Sequence, residues 1–226
     1  MSILEDIATW FMDQVGYAIC HQLPSRSLAY GGRGLPVCAR DTGLFLGFAA
    51  CFLLLLVVYR LERTRYPSWP KVIALALFVL PMAVDVATSY GGLRETTSII
   101  RLATGALAGV GAAALLFPLA ARQWSQEDGI AFESWWSVPA LLPVPAAVTL
   151  AVYPGWSPGF WLWAPLVTLS ILLTFLVLNV TLAALLLDRF REDRPPVRPA
   201  VTVAAGVGLA ALELVISNLL HHFAAG

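Results

Sequence analysis

Charge is scarce in this chain. Only 12% of its 226 residues are Asp, Glu, Lys or Arg, whereas a soluble globular domain carries about 25%. Hydrophobic residues make up 59% of the chain, and its mean hydropathy is +0.77. This balance excludes a water-soluble fold and predicts a protein whose main partner is the lipid bilayer. The formal net charge is zero at pH 7, so the composition gives no indication of nucleic-acid binding.

Cysteine is scarce too, and the first residues carry no basic group. Three cysteines are too few for a disulfide scaffold. Cys51 lies inside a long apolar run, where we interpret it as a small apolar filler. Residues 1–19 contain three acidic side chains and no Lys or Arg, so no cleavable signal peptide is predicted. Apolar residues of this segment recur with a helical period, which predicts an amphipathic helix at the membrane interface or packed on the bundle.

Long apolar runs are what the chain has in abundance, and a membrane-spanning helix needs about 20 such residues. Six spans are predicted, at 42–59, 72–91, 98–119, 137–153, 162–187 and 200–222. The fourth contains three prolines and is expected to be kinked or re-entrant. The predicted fold class is all-α, a polytopic membrane helical bundle of about six transmembrane helices with an N-terminal amphipathic helix. It forms one integral membrane domain, with the N-terminal helix and a polar motif in 1–41, spans 1–3 in 42–119 and spans 4–6 in 120–226.

Basic residues are unevenly divided between the two sides of the predicted bundle. Nine Lys and Arg residues fall in loops 60–71, 120–136 and 188–199, and five fall on the other side. Because cytoplasmic loops are enriched in basic residues, these three loops are predicted to face the cytoplasm. The expected localisation is the cell membrane, as a multi-pass protein whose N- and C-termini are both extracytoplasmic.

A polar motif lies between the N-terminal helix and the first span. Cys20 and His21 are adjacent, and Cys38 precedes Asp41 by three positions. Two sulfurs, an imidazole and a carboxylate can complete a tetrahedral shell around zinc or another divalent transition metal. The Gly-rich stretch 31–34 supplies a turn that returns the second pair to the first. Two other interpretations stay open, a structural disulfide between Cys20 and Cys38 and a redox-active thiol pair.

Ionisable residues inside the predicted spans concentrate at the level of this motif. Asp85, Arg101 and Glu213 lie in the outer halves of their spans, and Arg94 follows the second span. A charge within the bilayer costs at least about 2.5–3.5 kcal/mol, so such groups are expected to have partners or to face a cavity. Asp85 and Arg101 are the predicted ion pair, either as a strut between helices or as part of a catalytic site.

Three further features have structural interpretations. Gly105-x-x-x-Gly109 in the third span predicts close packing against another helix. Asn179, in the middle of the fifth span, predicts a hydrogen bond between helices. His221 and His222 end the sixth span, where they either mark the membrane interface or act as ligands.

The motif resembles that of a prokaryotic membrane family known as domain of unknown function 2085. The family pattern reads Cys-His-Gln-x-Pro-x-Arg-Ser, then Cys-Ala-Arg-Cys-Thr-Gly, then an Asp in the next span and Arg-x-x-Thr-Gly in the third. The resemblance covers about residues 18–110, and the matching positions are Cys20, His21, Gln22, Pro24, Arg26, Ser27, Cys38, Ala39, Arg40, Thr42, Gly43, Asp85, Arg101, Thr104 and Gly105. Asp41 stands where the pattern has a cysteine, which implies a harder Cys2HisAsp set in place of Cys3His. The resemblance implies a site but no particular reaction.

The leading hypothesis is a metal-dependent membrane protein that hydrolyses or transfers an anionic, lipid-linked substrate at an outward-facing site. The candidate metal ligands are Cys20, His21, Cys38 and Asp41. Asp85 and Glu213 are the candidate general bases. Four arginines are candidates for binding the anion, namely Arg26, Arg40, Arg94 and Arg101. The alternatives are a non-enzymatic accessory subunit, with other membrane subunits as partners and the cysteine pair as a staple, and a thiol–disulfide exchanger.

Overall fold

Six apolar helical segments long enough to cross a membrane dominate the computed structural model, which describes residues 3–125, 127–153, 159–189 and 199–225. The α-helices are α1 (Ile3–Tyr17), α2 (Ala39–Tyr59), α3 (Trp69–Ala76), α4 (Leu80–Tyr90), α5 (Ser98–Ala121), α6 (Pro143–Val152), α7 (Phe160–Arg189) and α8 (Pro199–Ala225). The six segments are α2, α3 with α4, α5, α6 with the turns before it, α7 and α8. The all-α polytopic bundle is therefore confirmed.

Two of the six segments are broken by short 3₁₀ turns at prolines. In the second segment, residues Leu77–Val79 form a 3₁₀ turn between α3 and α4, and Pro81 follows in the first turn of α4. In the fourth, 3₁₀ turns at Trp135–Ser137 and Pro139–Leu141 precede α6. Proline has no amide hydrogen and its ring crowds the preceding turn, so an unbroken α-helix is disfavoured at these points. The kink predicted for the fourth span is present.

Glycines on both helices bring α2 and α5 into close contact. A Cβ added at Gly43 or Gly47 of α2 would lie 2.1 or 2.4 Å from a backbone oxygen of α5. A Cβ at Gly105 or Gly109 of α5 would lie 2.0 Å from a backbone oxygen of α2. No other residue type permits this separation, because a side chain would overlap the facing helix. The packing predicted for Gly105-x-x-x-Gly109 is confirmed, and the pair on α2 completes it.

Helix α1 has two halves with different surroundings. Its C-terminal half packs on the bundle, where Met12, Val15 and Gly16 are buried. Its first turns leave large apolar side chains exposed, including Ile3 and Trp10. An exposed apolar face beside a bundle of membrane spans fits an interfacial helix. The predicted packing is confirmed for the C-terminal half, and the interfacial role stays a prediction for the exposed turns.

The chain between α1 and α2 forms an antiparallel β-hairpin, which was not predicted. Its strands are β1 (Ser27–Tyr30) and β2 (Arg33–Cys38). Gly31 and Gly32 form the connecting loop with φ values of 58° and 82°, the conformation of the tight turns that suit twisted hairpins. The hairpin covers one end of the bundle, where the Tyr30 hydroxyl donates a hydrogen bond to the carbonyl oxygen of Val152 at the end of α6.

We call this end of the bundle the motif end, since it carries residues 18–41. The last turn of α4 and the first turns of α2 and α5 also lie there. Asn218 of α8 donates a hydrogen bond of 3.1 Å to the carbonyl oxygen of Gln14, and Ser217 donates to that of Ala18. The polar groups of the second, third and sixth spans therefore lie near the level of the motif, as predicted. Most of the predicted loop 188–199, and the side chains of His221 and His222, lie outside the described part of the chain.

Candidate metal centre

The backbone after α1 turns Cys20 towards the start of α2. Gln22 adopts a left-handed conformation with φ of 50°, which reverses the chain immediately after the Cys-His pair. Its side-chain amide donates hydrogen bonds to the carbonyl oxygens of Asp13, at 2.9 Å, and Pro36, at 2.8 Å. Gln22 therefore ties α1 to β2 and fixes the position of Cys20. This role was not predicted, although Gln22 belongs to the resemblance motif.

Cys38 and Asp41 are joined through the first turn of α2. Cys38 is the last residue of β2 and the N-cap of α2, and Asp41 lies three residues further on. The Cys38 Sγ lies 3.1 Å from Asp41 Oδ2, and its single proton is donated either to this carboxylate or to Cys20. An acidic side chain at this position also interacts favourably with the free amides at the helix N-terminus. The local sequence therefore fixes the second pair of candidate ligands.

The two halves of the motif meet at one point. The amide of Cys38 donates a hydrogen bond of 3.4 Å to Cys20 Sγ. The ligand atoms of Cys20, Cys38 and Asp41 all lie within 4.8 Å of one another. Both cysteines are half-buried and neither forms a disulfide. Three of the four predicted metal ligands are thus brought together.

His21 is the predicted ligand that stays outside this set. Its side chain is exposed, and its ring nitrogens are not among the atoms that converge. Adjacent residues at a chain reversal direct their side chains differently, so the sequence neighbour of Cys20 does not follow it to the same point. His21 does line the cavity beside the three ligands.

Proton sharing makes the two thiols unequal. The hydrogen bond from the Cys38 thiol lowers the pKa of Cys20 to about 7, although burial opposes the shift, and backbone hydrogen bonds at Gln22 and Cys38 assist it. The same thiol–thiol hydrogen bond, together with burial and the charge of Asp41, raises the pKa of Cys38. One proton of the pair is therefore released near neutral pH, and Cys20 carries the resulting thiolate. A thiolate is the form that binds metal or attacks a disulfide.

A buried ion network stands behind this centre, with Asp85 at its middle. Arg40 Nη2 donates to Asp85 Oδ2 at 2.5 Å, and Arg94 Nη2 donates to Oδ1 at 2.8 Å. Thr96 Oγ1 donates to Oδ1 at 2.9 Å. The predicted pairing of Asp85 with Arg101 is wrong, since no ion pair joins these two among the described residues. The first turn of α2 and the loop after α4 lie closer to Asp85 and supply its counter-charges.

A cavity of about 450 Å³ connects the candidate ligands to two arginines. It is lined by Ile19, Cys20, His21, Leu23, Arg26, Cys38, Arg40, Asp41 and Tyr90. The Arg26 guanidinium lies over the Tyr90 ring, 4.8 Å from its centroid, a cation–π contact that orients it. Arg40 is 8% exposed, and its Nε has no hydrogen-bond partner within the described residues. Arg40 therefore has a buried donor that no described protein group satisfies, on a side chain that lines the cavity.

The remaining candidates lie away from the cavity. Arg94 is 42% exposed and is engaged by Asp85 and Thr88. Arg101 is half-buried in α5 and does not line the cavity. Glu213 accepts a hydrogen bond of 2.8 Å from Asn179 Nδ2 in a separate cleft, which confirms the inter-helix role predicted for Asn179. Of the predicted bases and arginines, the structure gathers Arg26 and Arg40 at the thiols, with Asp85 behind Arg40.

Comparisons with known proteins identify the same part of the chain. A family model described as "Predicted membrane protein (DUF2085)" matches residues 20–115. An uncharacterised protein of Methanothermobacter thermautotrophicus is 36% identical over 97 residues, which are 43% of this chain and 83% of that protein. An uncharacterised protein of Methanocaldococcus jannaschii is 35% identical over 102 residues, 45% of this chain and 63% of that protein. No solved structure matches the chain.

Proposed function

The chain belongs to the membrane-protein family of domain of unknown function 2085, and we propose that it binds a divalent transition metal, most simply zinc, through Cys20, Cys38 and Asp41. The observation that carries this proposal is the convergence of their ligand atoms within 4.8 Å. Ligands of tetrahedral zinc, at about 2.0–2.3 Å from the ion, lie about 3.3–3.8 Å apart. Small side-chain rotations are therefore enough to close the shell.

Three protein ligands leave one coordination position open, as in catalytic zinc sites. A metal held there would polarise a phosphoryl or carbonyl oxygen and make a bound water more acidic. The cavity that these three ligands line also contains Arg26 and Arg40, so an anion bound there would lie beside the metal. The proposed reaction class is hydrolysis or transfer on an anionic substrate carried by a lipid, at a site that faces the extracytoplasmic side.

Arg26 and Arg40 are proposed to hold the anion. Arg26 is oriented by Tyr90, and Arg40 has a buried Nε without a partner in the described part of the chain. Asp85 accepts hydrogen bonds from two guanidinium groups and a hydroxyl, which favours a positioning role over that of a general base.

Metal analysis of the detergent-purified full chain tests the proposal. We expect about one zinc per chain after purification with reductant, and loss of most of it in Cys20→Ser, Cys38→Ser and Asp41→Ala. Cys51→Ala is the matched control, because Cys51 is fully buried in α2 and away from the cavity. Asp41→Cys should bind zinc more tightly, since a thiolate is the softer ligand. Equal zinc content in the Cys20 and Cys51 variants would refute the proposal.

A second candidate, thiol–disulfide exchange, is favoured by one observation. The two thiols share a hydrogen bond, and the pKa of Cys20 is lowered to about 7, as in exchange-active cysteines. Cys20 would attack a partner disulfide, and Cys38 would then displace the partner thiolate and close an internal disulfide. Equilibration of metal-free protein with glutathione buffers, read out by alkylation and mass, tests this. A Cys20–Cys38 disulfide that forms reversibly at cellular potentials supports exchange, whereas thiols that stay reduced in every buffer exclude it.

A further inference from the structure

An apolar groove runs along the bundle between α5, α7 and α8. It encloses about 640 Å³, and large apolar side chains form most of its lining, among them Leu116, Phe175, Leu178, Leu182, Leu185 and Leu214. We call it the α7–α8 groove. Most of these side chains are aliphatic, so the groove offers hydrocarbon contacts at membrane depth.

The polar atoms of the groove already have partners. Asn179 Nδ2 donates both to the carbonyl oxygen of Phe175, at 3.0 Å, and to Glu213 Oε2, at 2.8 Å. The Thr181 hydroxyl donates to the carbonyl oxygen of Val177, and that of Ser217 donates to Ala18. No basic side chain lines the described groove. Its chemistry therefore suits an alkyl chain and not a charged head group.

The groove and the arginine-lined cavity share a wall. Ile19 lines both of them, and Cys20 follows it directly into the cavity. On α7 the groove extends from Phe175 to Leu185, which is about 15 Å at the helical rise of 1.5 Å per residue. The groove begins beside the cavity at Ile19 and ends at Leu119 and Leu185, which also line a polar pocket with Arg65 and Arg122 at the opposite end of the bundle.

We propose that the α7–α8 groove binds the hydrocarbon chain of an anionic lipid whose head group occupies the cavity at Arg26 and Arg40. Entry is lateral, because the groove opens between helices whose outer faces are apolar and exposed. The inference deepens the proposed function by assigning the site that binds the hydrocarbon chain of its substrate. It rests on the arginine-lined cavity of that proposal and not on the metal.

Photocrosslinking of the full chain in nanodiscs tests the inference. The probe is a single-chain phosphate monoester with a diazirine in the middle of the chain, and the comparison lipid has the same chain on a phosphocholine head. We expect crosslinks on groove residues of α7 and α8, with higher yield for the phosphate monoester. Arg26→Gln should remove this head-group preference, and excess inorganic phosphate should compete only weakly, since it lacks the chain.

A matched pair of leucines supplies the control. Leu182 lines the groove, Leu186 does not, and both side chains are 46% exposed on α7. Leu182→Trp should fill the groove and lower the crosslinking yield at least about tenfold, because displacing two methylenes is enough for that factor. Leu186→Trp should leave it unchanged. If Leu182→Trp does not fold, Leu178→Phe replaces it, as Leu178 also lines the groove.

The outcomes separate this inference from the metal proposal. Equal crosslinking yields in the two Trp variants, or crosslinks on all lipid-facing helices, would show that the probe labels only nonspecific surrounding lipid. Either result would overturn the inference. Zinc is measured in the same samples. Groove labelling without bound zinc would refute the metal proposal and support the lipid site. Normal zinc content without groove labelling would support the metal proposal and refute the lipid site.

Discussion

Replacing Asp85 by Asn removes the charge to which Arg40 and Arg94 are both bound. Asp85 is 1% exposed and Arg40 is 8% exposed, so the variant leaves a buried guanidinium facing a neutral amide. Removing one partner of a buried ion pair costs about 3–5 kcal/mol. Arg94 adds little to this figure, because its side chain is 42% exposed and solvent screens the interaction.

Thermal unfolding in detergent, followed by tryptophan fluorescence, measures the effect. For a chain of 226 residues, a loss of this size should lower the unfolding midpoint by about 6–20 °C. A double-mutant cycle isolates the pair. Arg40→Gln and Asp85→Asn should be less than additive by more than about 1 kcal/mol, because the second change removes a group already left unpaired.

The Arg101→Gln variant is the control in the same cycle. Since no ion pair joins Arg101 to Asp85 in the described chain, its effect should add to that of Asp85→Asn within about 0.5 kcal/mol. Coupling of Asp85 to Arg101 that exceeds its coupling to Arg40 would refute the pairing described above. A fall of less than about 3 °C for Asp85→Asn would show that the network is hydrated and contributes little.

Three other predictions can be checked directly. Gly105→Ala should abolish the folded yield, because its Cβ would lie 2.0 Å from a backbone oxygen of α2, whereas Gly208→Ala, with no atom within 4 Å, should be tolerated; size-exclusion chromatography of both compares them. In metal-free protein, the rate of Cys20 alkylation should rise with pH to half its maximum near pH 7, and Cys38→Ala should move this midpoint upwards; an unchanged midpoint would contradict the hydrogen-bond explanation. Impermeant thiol labelling of intact cells should modify Gly155→Cys and not Asp193→Cys; the opposite pattern would invert the orientation.

Much of the fold follows from the sequence, because the length and hydrophobicity of a segment are enough to identify a membrane-spanning helix. Every backbone N–H and C=O group in the hydrocarbon core must form a hydrogen bond within its own helix. An apolar run of about 20 residues therefore forms a membrane-spanning helix whatever its position in the chain. The prolines of the fourth span predicted its break in the same local way. The turn at Gly31 and Gly32 was also predicted from the glycines. The strands on either side of it were not predicted, because they are short and irregular.

The residues of the candidate site were predictable from the sequence, but the contacts between them were not. The sequence by itself determined which residues could bind a metal or an anion, because Cys20, Cys38, Asp41 and Arg40 lie in a short polar segment next to a span. It also determined that buried charges must have partners. Each of these conclusions depends on residue chemistry and chain position alone.

Only the tertiary structure decided which groups meet. In the structure, Asp85 accepts hydrogen bonds from Arg40 and Arg94. The side chain of His21 lies outside the converging ligands, and Glu213 accepts a hydrogen bond from Asn179 in a separate groove. These contacts depend on which helices are neighbours and on the direction of each side chain. Helix order in a bundle and the reversal at Gln22 are set by packing between distant segments, and spacing along the chain does not contain that information.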